Sequence, residues 1–128
     1  MFYSGICYGT NNLEEAGKFY DSVFKTINVV RCQTTDNEIG YGYSADKECF
    51  WVIKPFDQKP ATRGNGSQMI ITAKSKEEVD LFYSTALKAG GHDDGAPGLR
   101  DHTPNYYGAY IKDLDGNKSI FTKYFKLK

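Results

Sequence analysis

Leu13-Glu14-Glu15-Ala16-Gly17-Lys18-Phe19-Tyr20-Asp21-Ser22 and Lys76-Glu77-Glu78-Val79-Asp80-Leu81-Phe82-Tyr83-Ser84-Thr85 share one pattern: two glutamates, three residues, then Phe-Tyr. Residue 13 aligns with residue 76, and the offset of 63 holds through both segments. Repetition on this scale means a supersecondary unit used twice, which constrains the fold more than any local signal. Both copies read as helices. Asn12 with Glu15, and Ser75 with Glu78, are cap and third-position pairs that satisfy free amides at a helix start. Leu13, Ala16, Tyr20, Val23, Phe24 and Ile27 recur at helical spacing, as do Val79, Phe82, Tyr83 and Ala86. Gly90-Gly91 supplies the left-handed stop for the second helix.

Strand-like segments flank each helix. Residues 3–10 precede the first, and residues 28–33, 39–44 and 49–55 follow it. Residues 67–73 precede the second, and 106–112 and 118–125 follow, joined by the Asp115-Gly116 hairpin signal. A further short strand between Gly91 and Leu99 is weakened by its glycines. The chain therefore reads as α+β: two βαβββ modules, residues 1–56 and 67–128, around a linker at 57–66 that carries Pro60, Gly64, Asn65 and Gly66. Each module offers one apolar sheet face and one helix. Two such curled sheets, with helices outside, enclose a cleft of the kind that takes small molecules.

Composition narrows the function classes. Sixteen Lys and Arg balance sixteen Asp and Glu, so the basic surplus of a nucleic-acid binder is missing. Lys118, Lys123, Lys126 and Lys128 form a local basic run, read as a solvated edge. No apolar run reaches the ~20 residues of a membrane span, and Met1-Phe2-Tyr3-Ser4 is no secretory start. Cys7, Cys32 and Cys49 are odd in number and without a CxxC, which suits reduced thiols. The expected address is the cytoplasm.

The paired βαβββ pattern resembles the vicinal-oxygen-chelate superfamily (glyoxalase, bleomycin resistance protein and ring-cleaving dioxygenase relatives). Pro97-Gly98-Leu99-Arg100, His102, Pro104-Asn105-Tyr106-Tyr107-Gly108-Ala109-Tyr110 and Asp113-Leu114-Asp115-Gly116-Asn117 are similar to the C-terminal signature of its small glyoxalase-like members. Gly9, Leu13 and Phe19-Tyr20-Asp21 fit its first strand and helix; Gly40-Tyr41-Gly42 and Phe50-Trp51-Val52-Ile53-Lys54-Pro55 fit its third and fourth strands. Leu114 departs from a usual proline. The resemblance implies the glyoxalase/bleomycin resistance/dioxygenase fold and a homodimer, because relatives often complete their sites across subunits. In metal-dependent relatives a ligand lies on the first strand of each module and a Glu on the last strand. Carried over, these positions fall on Gly5, Gln68 and Ile120. One has no side chain, one cannot donate, and a single amide is a poor ligand, so neither a divalent metal nor another cofactor is expected.

Several side chains remain as candidates for chemistry. Gln68 either hydrogen-bonds a ligand carbonyl or satisfies buried backbone groups. Cys7 shares a strand face with Gly5; packing is its alternative role, as it is for Cys32 and Cys49. His102 is the candidate general base, against a merely solvated loop histidine; His92 reads as surface. Arg100 either clamps a carboxylate or phosphate, anchors its loop, or pairs with Asp101 or Asp94. Among Tyr106, Tyr107 and Tyr110, at least one should face the cleft and another the core or a subunit interface, and Trp51 is either a stacking wall or core. The run from Gly90 to Gly98 lacks the Gly-Lys-Ser/Thr ending of a phosphate loop and is expected to be a mobile flap. Asp113 to Asn117 lacks the distal Glu of a calcium loop and reads as a turn. Three functions follow as expectations: a metal-independent binder of a small organic ligand, a lyase or dioxygenase with a non-standard site, or a dimeric interaction protein. No nucleic acid or membrane partner is expected.

Overall fold

The computed structural model describes residues 2–124, with side chains placed through residue 122. Lys126 and Lys128, the side chain of Lys123, and the end of the expected last strand at Phe125 lie outside the described residues. The order is β1 (Ile6–Gly9), α1 (Leu13–Lys25), β2 (Val30–Thr34), β3 (Glu38–Gly42), β4 (Glu48–Ile53), β5 (Met69–Thr72), α2 (Lys76–Lys88), β6 (His92–Leu99), β7 (Tyr106–Lys112) and β8 (Lys118–Tyr124). A single 3-10 turn at Ala45–Lys47 links β3 to β4.

The helices begin where the cap chemistry requires. The Asn12 side chain accepts from Glu15 N, and Ser75 Oγ accepts from Glu78 N. Glu78 reaches back to Lys74 N, one residue before the cap. At the end of α2, Gly91 N donates to Ala86 O and Gly90 N to Leu87 O, with Gly90 left-handed. The first helix stops in the same way at Asn28, where Val29 N donates to Phe24 O and Asn28 N to Lys25 O.

Each module closes a four-stranded mixed sheet, in the orders β1-β4-β3-β2 and β5-β8-β7-β6. The first strand of each module runs parallel to the last, and the other pairings are antiparallel. Strand alternation then gives each sheet one face under its helix and one open face. Under α1, Phe19, Tyr20, Val23 and Phe24 pack on Ile39, Tyr41, Phe50 and Val52; Tyr20 lies 4.8 Å from Phe50, ring to ring. Under α2, Phe82 stacks on Phe121 at 4.3 Å. The helices also touch one another, so the two halves share one core.

Two expectations need correction. Residues 92–99 are strand β6, hydrogen-bonded to β7, rather than a flap over the cleft. The register shifts twice along this pair, around Gly95, whose φ of 148° is open to glycine but strained for other residues. The glycines weaken the strand signal in sequence because they serve these bulges. The first strand starts at Ile6 rather than Tyr3, since its pairing with β4 begins at Ile6 and Phe50.

Candidate functional site

The open face of the first sheet is organised around the only tryptophan. Cys7 and Gly40 flank Trp51 in register on either side. A Cβ on Gly5 would sit 2.3 Å from Trp51 Cζ3 and 2.6 Å from the Cys49 carbonyl oxygen. The indole thus occupies the space that a side chain at residue 5 would need. Gly5, Cys7 and Trp51 share one face, as alternation requires, and Trp51 is a wall of that face rather than part of the common core. Burial, with the Glu38 carboxylate second, pushes the Cys7 thiol up. Burial and then Cys32 push up Cys49. Neither environment favours a reactive thiolate.

On the second sheet, the register Ile70–Ile120–Tyr110–Gly95 lays one row across all four strands. The next row contains Lys118, Lys112 and His92. Lys118 Nζ lies 3.2 Å from Asp94 Oδ2, and Lys112 Nζ lies 3.9 Å from Asp94 Oδ1. Tyr110 is bracketed by cations, with Lys118 Nζ 5.2 Å and Arg100 Cζ 4.8 Å from its ring centre. Sequence reading missed this cluster because its members lie in four separate segments. The sequence reads Lys118 as part of a solvated edge, yet its side chain is only 36% exposed and is paired.

The two modules meet where β1 approaches the start of β8. Tyr8 OH donates to Lys118 O at 2.5 Å, and Asn117 Nδ2 donates to Gly9 O at 2.9 Å. A groove of ≈ 500 Å³ opens beside this contact, lined by Cys7, Gly9, Thr62, Gln68, Asn117 and Lys118 among others. A second hollow of ≈ 340 Å³ shares Ser67, Gln68 and Lys118 with it and extends to Arg63, Asp94 and Lys112. The linker is held over this region by Asn11, which donates through Nδ2 to Ala61 O and accepts from Ala61 N. Gln68 is exposed in the groove rather than spent on buried backbone.

The junction is locked by a buried carboxylate. Asp113, 1% exposed, accepts from Tyr20 OH at 2.5 Å, Asn117 Nδ2 at 3.0 Å, Asp115 N at 2.9 Å and Asn117 N at 2.8 Å. The Asp113-Leu114-Asp115-Gly116-Asn117 turn therefore clamps α1 to the β7–β8 hairpin. Burial raises Asp113 from the ordinary carboxylate value, opposed by its hydrogen bonds, and burial beside Asp113 pushes Tyr20 well up.

The remaining candidates divide by face. Tyr106 and Tyr110 are on the open side of β7, while Tyr107 points to the helix layer and donates to Asp80 Oδ1. That hydrogen bond pushes the Tyr107 phenol up to about 12. His102 is exposed, sits 5.7 Å from the Tyr106 ring, and lines neither groove. Arg100 pairs with neither Asp94 nor Asp101; its guanidinium donates to Ala96 O and Leu99 O while covering Tyr110. It anchors the end of β6. The structure thus brings Cys7 and Gln68 to one groove beside Lys118, sets Trp51 next to Cys7, and leaves Tyr107 and His102 elsewhere.

The three positions that would hold a divalent cation do not suit one. Residue 5 has no room for a donor, Ile120 presents a buried hydrocarbon, and Gln68 is one neutral amide. Among the described residues, no three His, Cys, Asp or Glu side chains converge in a way that could hold a metal ion. A firm site needs three or four such donors.

No family model matches the chain, and no curated protein matches it. Solved structures do. A glyoxalase/bleomycin resistance protein from Albidiferax ferrireducens is 31% identical with a TM-score of 0.85, covering 96% of this chain and 98% of its own. A glyoxalase-related enzyme from Fulvimarina pelagi superposes with a TM-score of 0.76 at 17% identity, over 94% of this chain and 86% of its own. A glyoxalase/bleomycin resistance protein/dioxygenase family enzyme from Burkholderia phytofirmans gives 0.70 at 17% identity, over 95% and 98%. The last two show the fold alone. With the first, and with two βαβββ halves joined at a groove, the chain belongs to the glyoxalase/bleomycin resistance protein family of the vicinal-oxygen-chelate superfamily.

Proposed function

We propose that this protein binds a small organic molecule in the groove between its two modules, using side chains rather than a resident divalent cation. The observation that carries the reading is the Trp51 ring packed against Gly5, which fills the first-strand ligand position. Concave sites with an apolar wall and a few convergent polar groups are the usual small-molecule sites, and Cys7, Gln68, Asn117 and Lys118 supply such a lining. A lyase or dioxygenase reading needs an acid–base or nucleophilic group at the groove. His102 is outside it, and the Cys7 thiol is pushed up rather than down, so binding is the reading the geometry favours.

The test pairs metal analysis with thermal shift. Added Zn, Ni, Mn or Fe(II) is expected to leave Tm unchanged, and the purified protein is expected to carry no stoichiometric metal. A binding small molecule at a hundredfold its Kd stabilises by about 2.7 kcal/mol, which is on the order of 10 °C in Tm for a domain of this size. A stoichiometric cation lost together with stability on chelation would overturn the reading.

A further inference from the structure

The open face of the second sheet sorts its side chains into two adjacent rows of different chemistry. Ile70, Ile120 and Tyr110 form an apolar row across β5, β8 and β7, with Ile70, 58% exposed, as its open end, Ile120 buried, and the Tyr110 ring beneath Lys118 and Arg100. Two residues along the strands, about 7 Å away, Lys118 and Lys112 form a basic row, and Gln68 lines the same hollow. We propose that this surface selects an amphipathic organic anion, whose apolar body lies against Ile70 and whose carboxylate or phosphate sits on the basic row. This deepens the binding reading above and rests on it.

Charge carries the inference. The whole chain is formally neutral, yet Arg63, Lys112 and Lys118 line one hollow with a single carboxylate, Asp94. Asp94 is shared by both lysines and is 26% exposed, so it cannot neutralise the two ammonium groups together. Arg100, on the far side of Tyr110, is bonded to carbonyl oxygens and makes no ion pair among the described residues. Partly buried cations in excess of their counter-ions create a positive potential focused by the groove walls. An oxyanion entering beside Asp94 would accept charge-assisted hydrogen bonds from both lysines, while the neutral Gln68 amide donates a third. Nothing comparable favours a cation: Asp94, the one acidic group of the hollow, is already held by two ammonium groups.

The experiment compares four probes of matched kind on the intact protein: octanoate, octan-1-ol, octylamine and acetate, by isothermal titration with thermal shift as a check. Octanoate is expected to bind best, acetate and octanol at least tenfold more weakly, and octylamine not at all. Raising the salt should weaken octanoate and leave octanol unmoved. Lys118→Gln is expected to weaken octanoate about tenfold, the value of a lost charge-assisted hydrogen bond. Asp94→Asn should strengthen it several-fold by freeing both lysines. Opposite signs from the two variants are what a purely structural role for this triad does not produce. If Lys118→Gln fails to fold, Lys112→Gln, Asp94→Asn and the salt dependence of the wild type still decide. Equal binding of octanol or octylamine sinks the anion proposal and leaves the groove as a binding site. Failure of all four probes, and of a neutral ligand library, sinks the binding reading itself.

Discussion

Replacing Asp113 with alanine is expected to lower the stability of the fold by about 4 kcal/mol. The carboxylate carries four hydrogen bonds, two on each oxygen. Alanine leaves the Tyr20 hydroxyl and the Asn117 amide buried without an acceptor, and each unsatisfied group costs roughly 1–3 kcal/mol. The turn amides of Asp115 and Asn117 lose their organiser as well, so the hairpin that meets β1 loosens. Tyr20→Phe removes one donor and keeps the rest, and should cost about 2 kcal/mol. In urea, with a slope near 2 kcal/mol/M, the Asp113→Ala midpoint should fall by about 2 M. A midpoint within a few tenths of wild type would show that the clamp is not what joins the modules.

The same carboxylate sets a pH signature. Its folded pKa lies above its unfolded one because burial outweighs the hydrogen bonds. A group raised in this way contributes stability that is fully present below the unfolded value and is lost as pH rises through the folded value. The difference in unfolding free energy between wild type and Asp113→Asn, in which this titration is absent, should therefore move in favour of wild type as pH falls from neutrality to about 4. Subtracting the variant removes the carboxylates common to both. A difference that grows instead as pH rises would mean that the hydrogen bonds, and not burial, dominate.

What the sequence made legible follows from where each signal is stored. The helices are local: caps at Asn12 and Ser75 and apolar spacing fix them, and the 63-residue offset exposes the duplicated plan. The face shared by Gly5, Cys7 and Trp51 also follows from alternation alone. The Lys112–Asp94–Lys118 triad is different, because its members come together only through the register of β6, β7 and β8, and β6 is bulged at glycines that dilute its pattern. Tyr107 shows the same limit in one residue. Its neighbour Tyr106 is one step away, and a single position of register decides between the open face and Asp80 on α2. Asp113 could be seen as a turn residue but not as a clamp, since Tyr20 is 93 positions distant in the chain.

Gly5→Ala is expected to displace the Trp51 indole and to cost about 2–3 kcal/mol, within the range for overpacking a filled site. The reason lies in what a Cβ would meet. One neighbour is the Trp51 ring at 2.3 Å, which can rotate away; the other is the Cys49 carbonyl oxygen at 2.6 Å, a backbone atom at the β3–β4 bulge that moves only with the strand. Relief therefore requires both an indole rotation and a shift of the strand edge. Because Trp51 is the sole tryptophan, its emission reports the first event without interference and is expected to move to longer wavelength as the ring enters water. Gly5→His tests the metal question from the same position. If a ligand were all that the site lacked, the imidazole would confer zinc affinity. With the space already taken by the indole, the histidine should be driven off the sheet face, giving a destabilised protein whose Tm is no higher in zinc than without it. An unshifted emission spectrum for Gly5→Ala, or a zinc-stabilised Gly5→His, would mean that the indole is an optional occupant and that the metal position is open.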